Sequence, residues 1–417
     1  MKIMIRNIPK PAIALLVVIP LIFSSCKKES SGPAPVDPVP INLTTNQVSL
    51  IESDNSFAFD IFRKVLDNST ESENIIISPL SISSALSMTL NGANGATRDS
   101  MLKALRMNGL TPDIINNSYK SLTEALLGVD KRVLISIANS VWSEKNFVVK
   151  KPFTDILTGY YNAESRSFDI TDPQVPTQIN NWIDSKTNGL IKNMIDKLDD
   201  KTVMLLINAI YFKGKWKSQF DATNTVQGSF YKPGNVTERV PMMKQTSDYK
   251  IYKGEGFTLA ELPYGQGNFV MDVILPDNNN GINNITPLIN DNSVKGWLNL
   301  MSSRKTDLSF PRFKYGFKKE LTDILTDMGM GITFGNNADF SNISDLKLYI
   351  SLVLHQAFIE TNEEGTEAAA ATIVGISNTA IIEPFNLNID HSFLYIIRET
   401  TTNSILFMGR VADPIAG

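Results

Sequence analysis

The segment Asn362-Glu363-Glu364-Gly365-Thr366-Glu367-Ala368-Ala369-Ala370-Ala371-Thr372 carries two contradictory local signals. Thr366 followed by Glu367 and four alanines suits an N-capped helix start. Immediately beyond, Thr372-Ile373-Val374-Gly375-Ile376 favours an extended strand, and Ser377-Asn378-Thr379 a polar loop. Composition alone favours a short surface helix and a turn. The alternative is a segment built to change state. Its small residues would let it enter a crowded sheet without steric penalty, and Thr and Val would then favour the extended form.

Around this segment the pattern alternates between helical and strand-like periods. Phe57, Phe59, Ile61, Phe62, Val65 and Leu66 suit an amphipathic helix that starts near Asp54 or Ser56. Residues 75–77 are a short apolar run, after which Ser78-Pro79 opens a helix through Leu90. Residues 202–213 and 269–275 have the character of buried strands, and 309–313 and 352–359 are further strand candidates. Helices dominate the first half and strands the second, which gives an α+β pattern without regular βαβ alternation.

The chain has 417 residues, 42% of them hydrophobic and 20% charged, which is too apolar for a disordered protein. Formal net charge is −4. The first 25 residues hold Lys2, Arg6 and Lys10 and no acid, so the remainder carries 36 basic and 43 acidic side chains. A mildly acidic body lacks the basic footprint of a nucleic-acid binder. Cys26 is the sole cysteine, which excludes internal disulfides and a thiolate metal site. His355 and His391 are the only histidines, so a histidine-rich metal centre is excluded too.

Residues 1–25 have the form of an export signal, with basic residues, an apolar run over 11–23, and Ser24 and Ser25 before Cys26. A transmembrane helix needs roughly 20 apolar residues; this run is shorter and broken by Pro20. The pattern resembles a bacterial lipoprotein signal, in which Cys26 becomes the lipid-modified first mature residue. Phe23 departs from it by replacing the aliphatic residue usual three positions upstream. The alternative is an ordinary secretory signal with an incidental cysteine. Residues 26–46, with Pro33, Pro35, Pro38 and Pro40, form a tether that stays extended, and the folded body spans 47–417.

Catalytic chemistry finds no positive support. Gly265-Gln266-Gly267 lies between strands and does not open a helix, so it is a turn rather than a phosphate loop. Gly-x-Ser-x-Gly is absent. His355 sits in an apolar stretch, as a hydrogen-bonded core histidine does, and His391 occupies a polar turn with a structural or solvated role.

Four motifs, in chain order, make this sequence resemble the serpin family over nearly all of residues 48–415. Asn74-Ile75-Ile76-Ile77-Ser78-Pro79-Leu80-Ser81-Ile82 is similar to the start of the family's central helix. Asn208-Ala209-Ile210-Tyr211-Phe212-Lys213-Gly214-Lys215-Trp216 resembles the strand leading to its breach tryptophan. The segment from Glu363 to Ala371 resembles the proximal hinge of inhibitory members. Leu406-Phe407-Met408-Gly409-Arg410-Val411-Ala412-Asp413-Pro414 resembles the C-terminal strand.

The resemblance implies three β-sheets, eight or nine helices and an exposed reactive-centre loop in a metastable fold. It implies an inhibitor rather than an enzyme. A serine protease attacks the loop, and the cleaved loop inserts into the main sheet and traps the acyl-enzyme. Thr366, Ala368, Ala370, Thr372 and Val374 would turn into the core on insertion. Gly365 would give the hinge its freedom. Trp216 would lie under the entry point, with Glu363 paired to Arg312. Ser78, Ser81, Asn208 and His355 would form the polar cluster controlling sheet opening.

Counting forward from Glu363 over the family's usual length places the scissile bond at Thr379–Ala380; counting back from His391-Ser392-Phe393 places it nearer Ile381. No Arg or Lys occurs between Gly365 and Ile389. Elastase-like and subtilisin-like targets are therefore expected, and trypsin-like ones are not. Residues 116–128, where heparin-activated members carry basic residues, hold only Lys120, so no glycosaminoglycan, metal or other cofactor is expected. The expected partners are the target protease and a membrane reached through Cys26, for a monomer on a bacterial outer membrane or cell surface. Secretion is the alternative location, and a non-inhibitory carrier the alternative function.

Overall fold

The structure is a computed structural model and describes residues 39–200, 202–365 and 383–415, all within one compact unit, Asp37–Gly417. The signal, Cys26, most of the tether, the hinge residues from Thr366 to Thr372, and Thr379, Ala380 and Ile381 lie outside the described residues. Among the described residues the fold is α+β, with nine α-helical segments and three hydrogen-bonded sheets.

The helices are α1 (Thr45–Asp67), α2 (Pro79–Leu90), α3 (Gly95–Ala104), α4 (Pro112–Gly128), α5 (Lys151–Tyr161), α6 (Val175–Lys186), α7 (Ile282–Ile285), α8 (Asp291–Asn299) and α9 (Thr322–Leu325). The first begins well before the expected start at Asp54 or Ser56. Thr44 accepts from the Gln47 backbone at 3.3 Å while Gln47 Oε1 accepts from the Thr44 backbone at 2.6 Å. This reciprocal cap satisfies two amides that the helix itself leaves free. Asp54 is therefore an interior, buried residue rather than a cap. Ile41 and Leu43 also pack against the core, so the folded body begins before Gln47. In α2 the Ser78 side chain accepts from the Ser81 backbone, Pro79 takes the first turn, and every residue but Ala85 is buried.

The strands are β1 (Ile75–Ile77), β2 (Val133–Glu144), β3 (Glu164–Phe168), β4 (Met204–Gly214), β5 (Val226–Lys232), β6 (Val236–Lys253) and β7 (Phe257–Tyr264). They continue with β8 (Phe269–Pro276), β9 (Ser302–Pro311), β10 (Phe313–Glu320), β11 (Leu354–Thr361), β12 (Phe385–Asn388), β13 (Phe393–Glu399) and β14 (Ile405–Val411). The run over 309–313 is thus the junction of two strands, broken at Arg312. A nine-stranded sheet has the order β1-β14-β13-β8-β7-β6-β9-β12, with β5 on β6. Gly265 and Gly267 adopt positive φ in the β7–β8 turn, as the sequence predicts.

The other two sheets are β3-β2-β4 and β10-β11. They lie side by side as halves of one layer. Trp182 and Ile183 of α6, with Ile191, Met194 and Ile195 after it, pack on Leu205, Ile207 and Ala209 of β4, with Leu354 and Phe358 of β11 against the same cluster. Among the described residues no hydrogen-bond ladder joins β4 to β11.

Candidate functional site

The unladdered seam between β4 and β11 closes at one end, where the strands' C-termini meet. The Trp216 backbone donates to Glu364 O at 2.8 Å, and Trp216 Nε1 donates to Asn362 O at 2.9 Å. Trp216 is buried and stacks on Tyr264, with ring centroids 4.4 Å apart and planes 10° from parallel. Phe220 and Phe310 meet its ring edge-on. An indole held by stacking and by its one donor is a fixed wall rather than a flap.

Residues Asn362 to Gly365 form a tight turn, bonded in both directions between Asn362 and Gly365. Gly365 has φ +133°, and a Cβ on it would stand 2.2 Å from Gly214 O. Only glycine fits there, because the backbones of two strands are in contact. Close approach is a second reason for glycine here, beside the positive φ that an L side chain rarely adopts.

Glu363 is buried beside this turn, and Arg312 Nε donates to its Oε1 at 2.7 Å. The Arg312 Nη2 and the Thr225 hydroxyl reach the same oxygen. Burial opposes the carboxylate's charge, but the hydrogen bonds from Arg312 and Thr225 outweigh it and hold the group below its ordinary range. Trp216, Arg312 and Glu363 are thus brought together. Thr225 and Tyr264 belong to the same cluster; nothing in the local sequence marks them.

Ser78, Ser81 and His355 meet at α2's first turn. His355 Nε2 accepts from the Ser78 backbone at 3.1 Å, which makes the uncharged ring an acceptor and ties β11 to the helix. Burial lowers its pKa from 6.5 to about 3. His391 is also buried, between Asp390 and the Pro276 carbonyl, at 2.8 Å from each, so its role is structural. On β4, Asn208 Nδ2 donates to Asn139 Oδ1 of β2 at 2.6 Å. Asn139 in turn donates to Tyr161 O at 3.1 Å.

Nine buried side-chain polar atoms lack a hydrogen-bond partner among the described residues, and five belong to β4, to β11, to the turn after it or to α2. They are Oδ1 of Asn208, Oε1 of Gln356, Oγ1 of Thr361, Oε2 of Glu364 and, at the foot of α2, Oγ of Ser81. Buried polar groups are ordinarily bonded. Among the described residues no cluster of His, Cys, Asp and Glu could hold a metal ion.

Comparison with known proteins agrees with this geometry. A family model described as Serpin (serine protease inhibitor) matches residues 52–414. Serpin B3 of Homo sapiens is 34% identical over 393 residues, covering 88% of this chain and 100% of that protein. Neuroserpin of Gallus gallus is 33% identical over 361 residues, covering 83% of this chain and 87% of its own. Among solved structures, human thyroxine-binding globulin complexed with thyroxine superposes with TM-score 0.81 at 28% identity, covering 88% of this chain and 99% of that one. Human glycosylated kallistatin gives TM-score 0.81 at 26% identity, covering 89% and 99%. Matched from residue 52 to residue 414, with the open seam and its closed head in place, this chain belongs to the serpin family.

Proposed function

We propose that this chain inhibits serine endopeptidases as a suicide substrate. The protease serine attacks the carbonyl carbon of Thr379, releases the amine of Ala380 and is left as an acyl ester on the loop. The hinge from Glu363 to Thr372 then enters between β4 and β11 as a new strand and draws the protease with it. Inhibition is a race between insertion and hydrolysis of that ester. The observation supporting this reading is the seam, two strands joined at Gly365 and otherwise unladdered among the described residues. The absence of Arg and Lys between Gly365 and Ile389 favours elastase-like or subtilisin-like targets. Cys26 and the Pro-rich tether support a lipid-anchored place on a bacterial surface.

The test is incubation with neutrophil elastase, subtilisin and trypsin, followed by denaturing gels and sequencing of the released fragment. A denaturant-resistant band at the summed mass with elastase or subtilisin is expected, with a new N-terminus at or within two residues of Ala380. Cleavage there by all three enzymes without a complex would overturn it. The likeness to thyroxine-binding globulin favours a second reading, a carrier on the same scaffold. A carrier would gain no heat resistance from loop cleavage, whereas an inhibitor would.

A further inference from the structure

Asp54 is fully buried at the centre of three helices. Its Oδ1 accepts from Ser83 Oγ of α2 at 2.7 Å and from Tyr119 OH of α4 at 2.6 Å, while its Oδ2 has no partner among the described residues. No ion pair reaches it among those residues either. A naked carboxylate in such a place is expensive, and the natural remedy is a proton. Burial raises its pKa from 3.8 to about 7, against the smaller lowering effect of the Tyr119 and Ser83 hydrogen bonds.

The carboxyl is wired toward the seam by two routes. The first is α2 itself, since Ser83 lies on the same helix as Ser81 and follows its cap Ser78, which holds His355 of β11. The second runs through one ring contact and then through hydrogen bonds. The Tyr119 ring lies against Tyr161, whose hydroxyl donates to Asn116 at 2.7 Å, and Asn116 exchanges amide bonds with Asn91, which caps the C-terminus of α2. The Tyr161 carbonyl accepts from Asn139, which accepts from Asn208 of β4. Asp54 is therefore connected to both strands of the seam.

We propose that Asp54 is a proton-operated lock on α2, which holds the seam shut when protonated and loosens it when ionised. In the closed state the proton relieves the buried charge. When the pH rises, ionisation is tolerated only if water reaches the carboxylate, so states in which α2 lifts from α1 and α4 gain population. The facing groups do not reverse this sign. Alpha2 presents only hydroxyls and amides here; α4 presents Tyr119, while its Asp113, Lys120 and Glu124 are exposed. Tyr161 stands beyond Tyr119, and burial raises its pKa too. On the other sides of α1, Asp291 and Lys295 of α8 pair with each other, and Asp323 of α9 and Asp327 just after it are exposed. Arg410 of β14 donates to the Thr70 and Glu73 carbonyls. His355 of β11 takes a proton only in acid.

The coupling to loop insertion rests on the proposed function, but the lock does not. Hydrogen exchange of the full chain tests it without any protease. Protection factors of amides in α2 and β11 are followed from pH 5.5 to pH 8.5 in wild type, Asp54→Asn and Tyr119→Phe. In wild type they fall by up to about thirtyfold, the ratio a carboxyl titrating near 7 when closed and near 3.8 when open gives. Asp54→Asn, which keeps shape and hydrogen bonding, removes the fall. Tyr119→Phe, which deletes a bond to the ionised form, moves it to higher pH. An unchanged slope in Asp54→Asn overturns the proposal, as does a response in α2 that β11 does not share. If Asp54→Asn does not fold, an unshifted profile in Tyr119→Phe overturns it equally. A separate failure to form covalent complex on gels would tell against the inhibitor reading and leave the exchange result intact.

Discussion

Gly365 lies so close to Trp216 that a Cβ on the glycine would stand 2.5 Å from the tryptophan's backbone nitrogen. That nitrogen is the donor that binds Glu364 and closes the head of the seam. Gly365→Ala therefore cannot keep this arrangement, for lack of room and because φ is +133°. The expected result is a destabilisation of about 1–3 kcal/mol, with red-shifted emission from Trp216 as it leaves Tyr264. Differential scanning calorimetry and fluorescence check both; an unaltered midpoint would mean the turn is not held there.

His355 carries the clearest pH dependence of the seam. Its pKa is about 3 folded against 6.5 unfolded, so between these values the unfolded chain takes a proton that the native state refuses. Stability is present above 6.5 and is lost as pH falls toward 3, by at most about 5 kcal/mol. His355→Gln keeps an acceptor for Ser78 and should remove that slope, so that the thermal midpoint of the variant falls from pH 4 to pH 7 on the Asp54 titration alone. Asp54 has the opposite sign, since its stabilising proton is lost as pH rises from 3.8 to about 7. Wild type should consequently be flatter than either single variant, and Asp54→Asn should expose the His355 slope.

The difference between what was legible in the sequence and what was not follows contact distance. Ser78 and Pro79 announce α2 because a cap and a first-turn proline act within four residues. Thr44 and Gln47 carry an equally local signal, yet Asp54 masks it by resembling a cap at the start of the apolar stripe. Trp216, Arg312 and Glu363 were accessible only through family resemblance, since the Arg312 and Glu363 partners lie 51 residues apart. Thr225 and Asn139 were missed for the same reason, with no motif to compensate. The carboxyl of Asp54 is ordinary in sequence, and its chemistry appears only once three helices close around it.

Arg398 anchors a buried charge cluster across β13, β8 and β7. Its Nε donates to Asp272 Oδ2 at 2.6 Å and its Nη2 to Glu261 Oε2 at 2.7 Å. Burial nevertheless raises Asp272 from 3.8 to about 6, so the arginine only partly offsets the desolvation. Arg398→Met would strand the buried carboxylate of Asp272, while Glu261 keeps Lys250 at 2.9 Å, at a loss of about 3–5 kcal/mol. Replacing all three residues by apolar ones of similar volume should recover most of it. Thermal midpoints of the single and triple variants decide, and a single variant as stable as wild type would mean water already reaches the cluster.

On the proposed mechanism, Ala370 is the residue at which the race between insertion and hydrolysis can be tipped with least disturbance. It lies outside the described residues, but alternation along an inserted strand sends Thr366, Ala368, Ala370 and Thr372 to one face and Glu367, Ala369 and Ala371 to the other. Glutamate at position 370 would have to enter the layer beneath β4 and β11, where an unpaired carboxylate is costly. The same change at Ala369 would point to solvent. Neither position is in the scissile bond, so the protease's attack should proceed equally in both. Ala370→Glu should therefore be cut at the same bond while the yield of covalent complex with elastase falls tenfold or more, and Ala369→Glu should retain near wild-type yield. Quantified gels of both variants, with the fragment N-terminus sequenced, make the comparison. Equal complex from both would show that the segment does not insert with this register.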